Sequence, residues 1–112
     1  MNKVLSQAKS DILKALAHPI RIRILEYLRD GEKCVCEIMR EINVEQSNVS
    51  QHLSHLKKVN ILDSKKEGLK VIYRVKNDEV FQILNLLDGM IYSQMEKNIA
   101  LLNGLKKSSC CQ

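Results

Sequence analysis

Four cysteines are the residues of this sequence best suited to chemistry, and they fall in two tight pairs. Cys34 and Cys36 are separated by one residue, whereas Cys110 and Cys111 are adjacent near the end of the chain. A thiolate is a soft donor that selects thiophilic ions: arsenic and antimony in the +3 state, cadmium, lead and zinc. In a reducing compartment, clusters of this kind point to metal or redox chemistry rather than to a disulfide framework. Placed on a regular helix, Cys34 and Cys36 project about 200° apart and cannot both reach one ion. Chelation is then expected to need an unwound or distorted first turn, with the strain passed to the next helix. Burial as small apolar residues is the plainer alternative for free cysteines, but the same angle denies the pair a common core stripe.

The elements that must position these thiols follow from composition and periodicity. The 112 residues allow one domain, expected over 1–107, with 108–112 as a flexible cysteine-bearing tail. One Pro, four Gly and no Trp suit a helical domain better than a β-sandwich. The net charge of +5 makes polyanions plausible partners. No apolar run approaches the roughly 18 residues that span a bilayer. Near the N-terminus Gln7, Lys9, Asp11 and Lys14 interrupt any signal-peptide core, so a cytoplasmic protein with no membrane partner is expected.

Apolar residues at a helical period mark a first helix over 3–17. His18-Pro19 ends it and starts a second, which Gly31 stops. A short third helix is expected over 34–42 and a fourth over about 46–58. Beyond Asn60 the period becomes two, with a turn at Glu67-Gly68, so a β-hairpin follows. A long helix from about 77 to 107 carries an apolar seam from Val80 to Leu105. The order α-α-α-α-β-β-α, mainly α with a β-hairpin, describes a winged helix-turn-helix.

The fourth helix carries the second candidate chemistry. Val49, Leu53 and Leu56 cluster on one side, while Ser47, Asn48, Ser50, Gln51, Ser54 and His55 occupy the other. Short hydroxyl and amide groups without an acid suit hydrogen bonding to base edges. An ordinary solvated face would more often carry Glu/Lys pairs. Recognition helices use their N-terminal residues, which ranks Ser47, Asn48, Ser50 and Gln51 ahead of Ser54 and His55. Lys65, Lys66 and Lys70 at the hairpin tip can neutralise phosphates, with a solvated charged turn as the alternative. His52 reads as a core or boundary residue, and His18 as a helix-boundary residue.

These pieces together resemble one family. The stretch from Leu16 to Val75 is similar to the ArsR/SmtB metalloregulatory repressors, most specifically in LAHPIRIRIL, in the CVC box with its flanking glutamates, and in SNVSQHLSHL with the basic hairpin ending IYRV. The resemblance implies a homodimeric repressor on a palindromic operator of double-stranded DNA, paired through its first and last helices and released by a metal or metalloid. It assigns the inducer site to Cys34 and Cys36, with arsenite or antimonite as the leading inducers. Met39 stands where one type of arsenic sensor has a third Cys. The last helix offers Asp88 but no His for a zinc site, and no Cys precedes Cys34. A missing third sulfur leaves two roles open for Cys110 and Cys111: completing the arsenic site, or forming a separate site for an organoarsenical; both could also be idle.

Two alternatives remain at this point. The same DNA-binding module could sense cadmium, lead, thiol oxidation or persulfidation. A small thiol enzyme is disfavoured, because no general base lies near the thiols and the spacing is not Cys-x-x-Cys.

Overall fold

A computed structural model describes residues 2–42 and 48–111, with side chains described up to residue 104. The chain divides into two compact units, Met1–Asp78 and Glu79–Gln112. In the first unit, helix α1 (Asn2–Leu16) leads into α2 (Pro19–Tyr27), which closes in a short 3₁₀ turn at Leu28–Asp30. Strand β1 (Lys33–Cys34), helix α3 (Val35–Ile42), helix α4 (Val49–Lys58) and strands β2 (Leu62–Glu67) and β3 (Lys70–Val75) follow. The second unit is α5 (Glu79–Cys111).

Local chemistry accounts for the boundaries. His18 is extended, with φ −153° and ψ 127°, and its Nδ1 accepts from the Ile20 N–H at 3.1 Å, so it caps α2 ahead of Pro19. Gly31 ends the 3₁₀ turn at φ 135°, a backbone angle that side-chain-bearing residues rarely adopt. The α4 helix ends at Asn60, whose φ of 66° lies in the left-handed region. There the Asn60 N–H donates to Lys57 O and the Ile61 N–H donates to Leu56 O, the paired bonds of a Schellman motif. Leu56 and Ile61, the two positions at which such a motif ordinarily carries apolar side chains, are both buried.

The core of the first unit joins α2, α3, α4 and the sheet. Ile24, Leu25, Ile38, Leu53, Leu56 and Leu62 are its largest fully buried side chains. Val49, Leu53 and Leu56 are the inner stripe of α4 that its periodicity indicates. Removing a buried leucine of this kind costs about 2–5 kcal/mol, much of a small domain's stability.

The winged helix-turn-helix is the observed architecture, with one addition. The sheet has three strands in the order β1-β3-β2, both pairs antiparallel, rather than a bare hairpin. In β1, Lys33 lies opposite Tyr73 and Cys34 opposite Ile72. The third helix therefore starts at Val35, one residue after Cys34. The hairpin turn occupies Gly68-Leu69, one position later than expected, because Glu67 pairs with Lys70 and Gly68 takes up φ 63°. The α5 helix runs to Cys111, so the tail expected at 108–112 falls on residues whose side chains lie outside the described ones.

Candidate functional site

Cys34 is the last residue of a strand and the residue before a helix, and this position decides its geometry. Its N–H donates to Glu37 Oε1 at 3.1 Å, while the Glu37 N–H donates to Cys34 Sγ at 3.3 Å. This is a capping box in which sulfur replaces the usual hydroxyl, with Glu three residues on. Because Cys34 is not helical, its side chain is not bound by the helical wheel. The Sγ atoms of Cys34 and Cys36 meet in a disulfide, with Cα atoms 5.4 Å apart. The expectation that both cysteines belong to a regular helix, which would have to unwind to join them, is therefore incorrect. The strand-to-helix junction already brings the sulfurs together with α3 intact.

Cys34 is buried and Cys36 exposed. Together with Met39 they line a cavity of about 470 Å³, whose other walls include Ser50 of α4 and Lys70 and Val71 of β3. The thiol pair thus opens into a space bounded by both elements proposed to meet nucleic acid. Among the described residues, no group of three or more His, Cys, Asp or Glu is placed to hold a metal ion. The side chains of Cys110 and Cys111 lie outside the described residues.

On α4, Ser50, Gln51, Ser54, His55 and Lys58 line one shallow concavity, and all five are exposed. Asn48 is exposed just before the helix, whereas Ser47 lies outside the described residues. Lys58, two turns on from Ser50 and Gln51, belongs to this face and was missed by sequence reasoning; the spacing i, i+4, i+8 could have signalled it. Lys57 is occupied differently, donating to Ser64 Oγ on β2 at 2.7 Å and so tying helix to wing.

The wing lysines are not equivalent. Lys65 lies 3.2 Å from a Glu67 carboxylate oxygen and 3.5 Å from one of Glu32. The hydrogen bond to Glu67, then the Glu32 charge, raises its pKa, so its charge is already balanced. Lys66 and Lys70 are exposed and carry no ion pair among the described residues. Arg74 pairs with Asp63 across the hairpin at 3.2 Å, and that bond lowers the Asp63 pKa.

Behind the exposed face, α4 is anchored by His52. Its Nδ1 accepts from Arg21 Nε at 2.9 Å, and Arg21 also donates to Ala15 O at 3.2 Å. The His18 and His52 rings stand 4.4 Å apart, centre to centre. His52 is buried, as expected of a core or boundary residue. Burial lowers its pKa first, and the charges of His18, Arg21 and His55 add to that effect. Neutral His52 accepts from Arg21; a protonated ring would have no lone pair to offer.

A family model for bacterial regulatory proteins of the arsR family matches residues 18–64. The HTH-type transcriptional regulator MJ1325 of Methanocaldococcus jannaschii is 39% identical over 82 residues, which are 72% of this chain and 92% of that protein. The chain belongs to the ArsR/SmtB family of transcriptional regulators. The cadmium resistance transcriptional regulatory protein CadC of Listeria innocua is 38% identical over 80 residues, 70% of this chain and 65% of that one. The homodimeric winged helix-turn-helix DNA-binding domain of Mb0332 from Mycobacterium bovis superimposes with a TM-score of 0.75 at 25% identity, covering 85% of this chain and 88% of that one. ArsR/SmtB proteins are regulators, so the thiol-enzyme alternative falls away.

The His52 anchor gives this regulator a signature in pH. Its folded pKa lies below the usual 6.5, so the unfolded chain binds the proton more readily. Stability should rise with pH up to about 6.5 and then level off. His52→Gln keeps an acceptor for Arg21 but cannot titrate. Denaturant unfolding of both proteins should show the wild-type advantage shrinking as pH falls from 7 to 5. A difference independent of pH would contradict the assignment.

Proposed function

We propose that the chain is a homodimeric repressor that holds operator DNA through α4 and the wing and releases it when Cys34 and Cys36 bind a thiophilic ion, arsenite or antimonite. The observation that carries this reading is the shared cavity: Cys34 and Cys36 line the same space as Ser50 of α4 and Lys70 of β3. An ion held there converts two cysteines into its ligands and draws the Cys34 sulfur from its place as cap of α3. Release then follows from displacement at the junction rather than from unwinding a helix. Cadmium or lead would suit the same sulfurs, and the similarity to CadC supports a metal as inducer.

The dimer is supported by apolar side chains that water does not favour. On α1, Val4, Leu5 and Leu13 are exposed; on α5, Leu86, Met90, Ile91, Met95, Ile99 and Leu102 are exposed. Faces of this extent ordinarily meet a partner, and Mb0332 is a homodimer. In such a dimer the two α4 helices would enter successive major grooves about 34–36 Å apart.

A second reading is favoured by the sulfur–sulfur bond itself. A peroxide could take two electrons and two protons from the thiols, closing the disulfide as the release signal. Titrating the reduced protein on operator DNA with arsenite, cadmium, lead and peroxide separates the two.

Base-reading and phosphate-binding residues should respond differently to substitution. Gln51→Ala is expected to cost about 1–3 kcal/mol on the operator and little on unrelated DNA. Lys66→Ala should weaken both alike and lower the salt slope by about 0.9. Fluorescence anisotropy at several salt concentrations reads both effects; equal losses on both DNAs for Gln51→Ala would remove it from base reading.

The sensing site is tested by Cys34→Ser and Cys36→Ser. Both variants should bind the operator as the wild type does. Arsenite should weaken the reduced wild-type complex about 5–150-fold, the usual size of such coupling, and leave the variants bound. Normal release from either variant would locate the sensor elsewhere.

A further inference from the structure

We infer that Leu69, at the tip of the wing, is an apolar wedge that enters the minor groove of the operator beside each half-site and selects a flexible pyrimidine–purine step there. This rests on the reading of α4 and the wing as the DNA-binding face, and it adds a sequence preference that α4 does not supply.

Leu69 is fully exposed, and its place in the fold makes that unusual. Among the described residues, the other exposed large apolar side chains lie on α1 and α5, apart from Met39 at the cysteine cavity. The proposed dimer covers those on the two helices, whereas Leu69 stands at the end of the hairpin. Backbone geometry holds it there. Glu67 pairs with Lys70, so only Gly68 and Leu69 connect the strands. Gly68 has φ 63°, and Asn60 is the one non-glycine with positive φ among the described residues, so Leu69 does not share it. A two-residue loop with Gly at its first central position is a type II′ turn, which has little slack for folding the leucine back onto the sheet.

The charges around the tip match a groove walled by phosphates. Side chains alternate faces along a strand; Lys66 sits opposite Val71 and Lys70 opposite Glu67, so the two lysines lie on opposite faces of the hairpin. Both are exposed and carry no ion pair among the described residues. The nearby Glu67 carboxylate is held by Lys65 at 3.2 Å. One apolar side chain therefore projects between two unpaired cations. The minor groove is about 6 Å wide, with phosphates along both walls for the lysines to neutralise. Leucine is among the side chains that wedge between base steps in that groove, and pyrimidine–purine steps unstack most readily. A side chain without a hydrogen-bonding group reads this deformability rather than base edges. The bond from Lys57 of α4 to Ser64 of β2 ties the wing to the recognition helix. The selected step should then lie at a constant distance, roughly five base pairs or half a helical turn, from the bases facing α4.

Selection from a random duplex library with the reduced full-length protein, and with Leu69→Ala, tests this. Leu69 lies outside the core, so its truncation leaves the fold intact. The wild type should enrich TA or CA/TG steps at that constant distance from each half-site. Leu69→Ala should enrich the same half-sites without the flanking step. On the selected duplex, replacing the TA step by AA should weaken wild-type binding about tenfold and leave Leu69→Ala unaffected. 2-Aminopurine at the step should brighten when the wild type binds and stay quenched with Leu69→Ala. Leu69→Lys, which adds a cation without a wedge, should bind tightly yet show neither the step preference nor the brightening. Identical flanking steps in both selections, or no preferred step with the wild type, would overturn the inference while leaving α4 as the reader of DNA. If Leu69→Ala changes arsenite affinity but not the selected sequences, the residue serves the cysteine cavity, which it also borders, and the inference again fails. If neither protein enriches any sequence, the DNA-binding reading itself fails.

Discussion

The structure depends most on the reciprocal cap between Cys34 and Glu37. One residue there closes two kinds of structure: its backbone pairs with β3 at Ile72, and its sulfur accepts the third N–H of α3. A helix of eight residues cannot persist on intrinsic propensity, so its start has to be held from outside. The sheet holds it through Cys34, and its far end is held from α2, where Arg23 donates to Ile42 O at 3.2 Å. A change at the Cys34 sulfur therefore acts on the helix cap and on the edge of the wing together.

From that junction the described residues reach α4 through buried side chains and side-chain hydrogen bonds. Ile38 and Ile42 of α3 are buried, as are Val49, Leu53 and Leu56 of α4. Arg21 fixes α4 from behind through His52, and Lys57 fixes it to the wing through Ser64. Energetics do not demand a large rearrangement. A single hydrogen bond contributes about 0.5–1.5 kcal/mol, and disturbing the two bonds of the cap yields about the 1–3 kcal/mol typical of coupling between sites. Under the proposed function, the ligand need not melt α3. It has only to withdraw one cap and occupy the cavity that Ser50 and Lys70 share with the cysteines.

Much of this was legible in the sequence because it rests on local rules. The inner stripe of α4, the His18-Pro19 start of α2 and the stop at Gly31 each follow from nearby residues and appear as expected. The candidate site was less legible. Strand β1 is two residues long and has no period to detect, since β3, nearly forty residues on, creates it by pairing. Treating Cys34 as helical then produced a geometric obstacle that the strand-to-helix junction removes. Lys65 looked like its neighbours until Glu32, distant in sequence, proved to share its charge. The bond from Arg21 to His52 spans 31 positions and leaves no mark in either segment alone.

The most direct test of the account is thermodynamic reciprocity. Arsenite affinity of the reduced protein should be measured by calorimetry with and without saturating operator DNA. If the cysteine pair and the DNA-binding face are linked as described, operator must weaken arsenite binding by the same factor by which arsenite weakens operator binding. Arsenite affinity that is indifferent to bound operator would contradict the account, however tightly the two sulfurs held the ion.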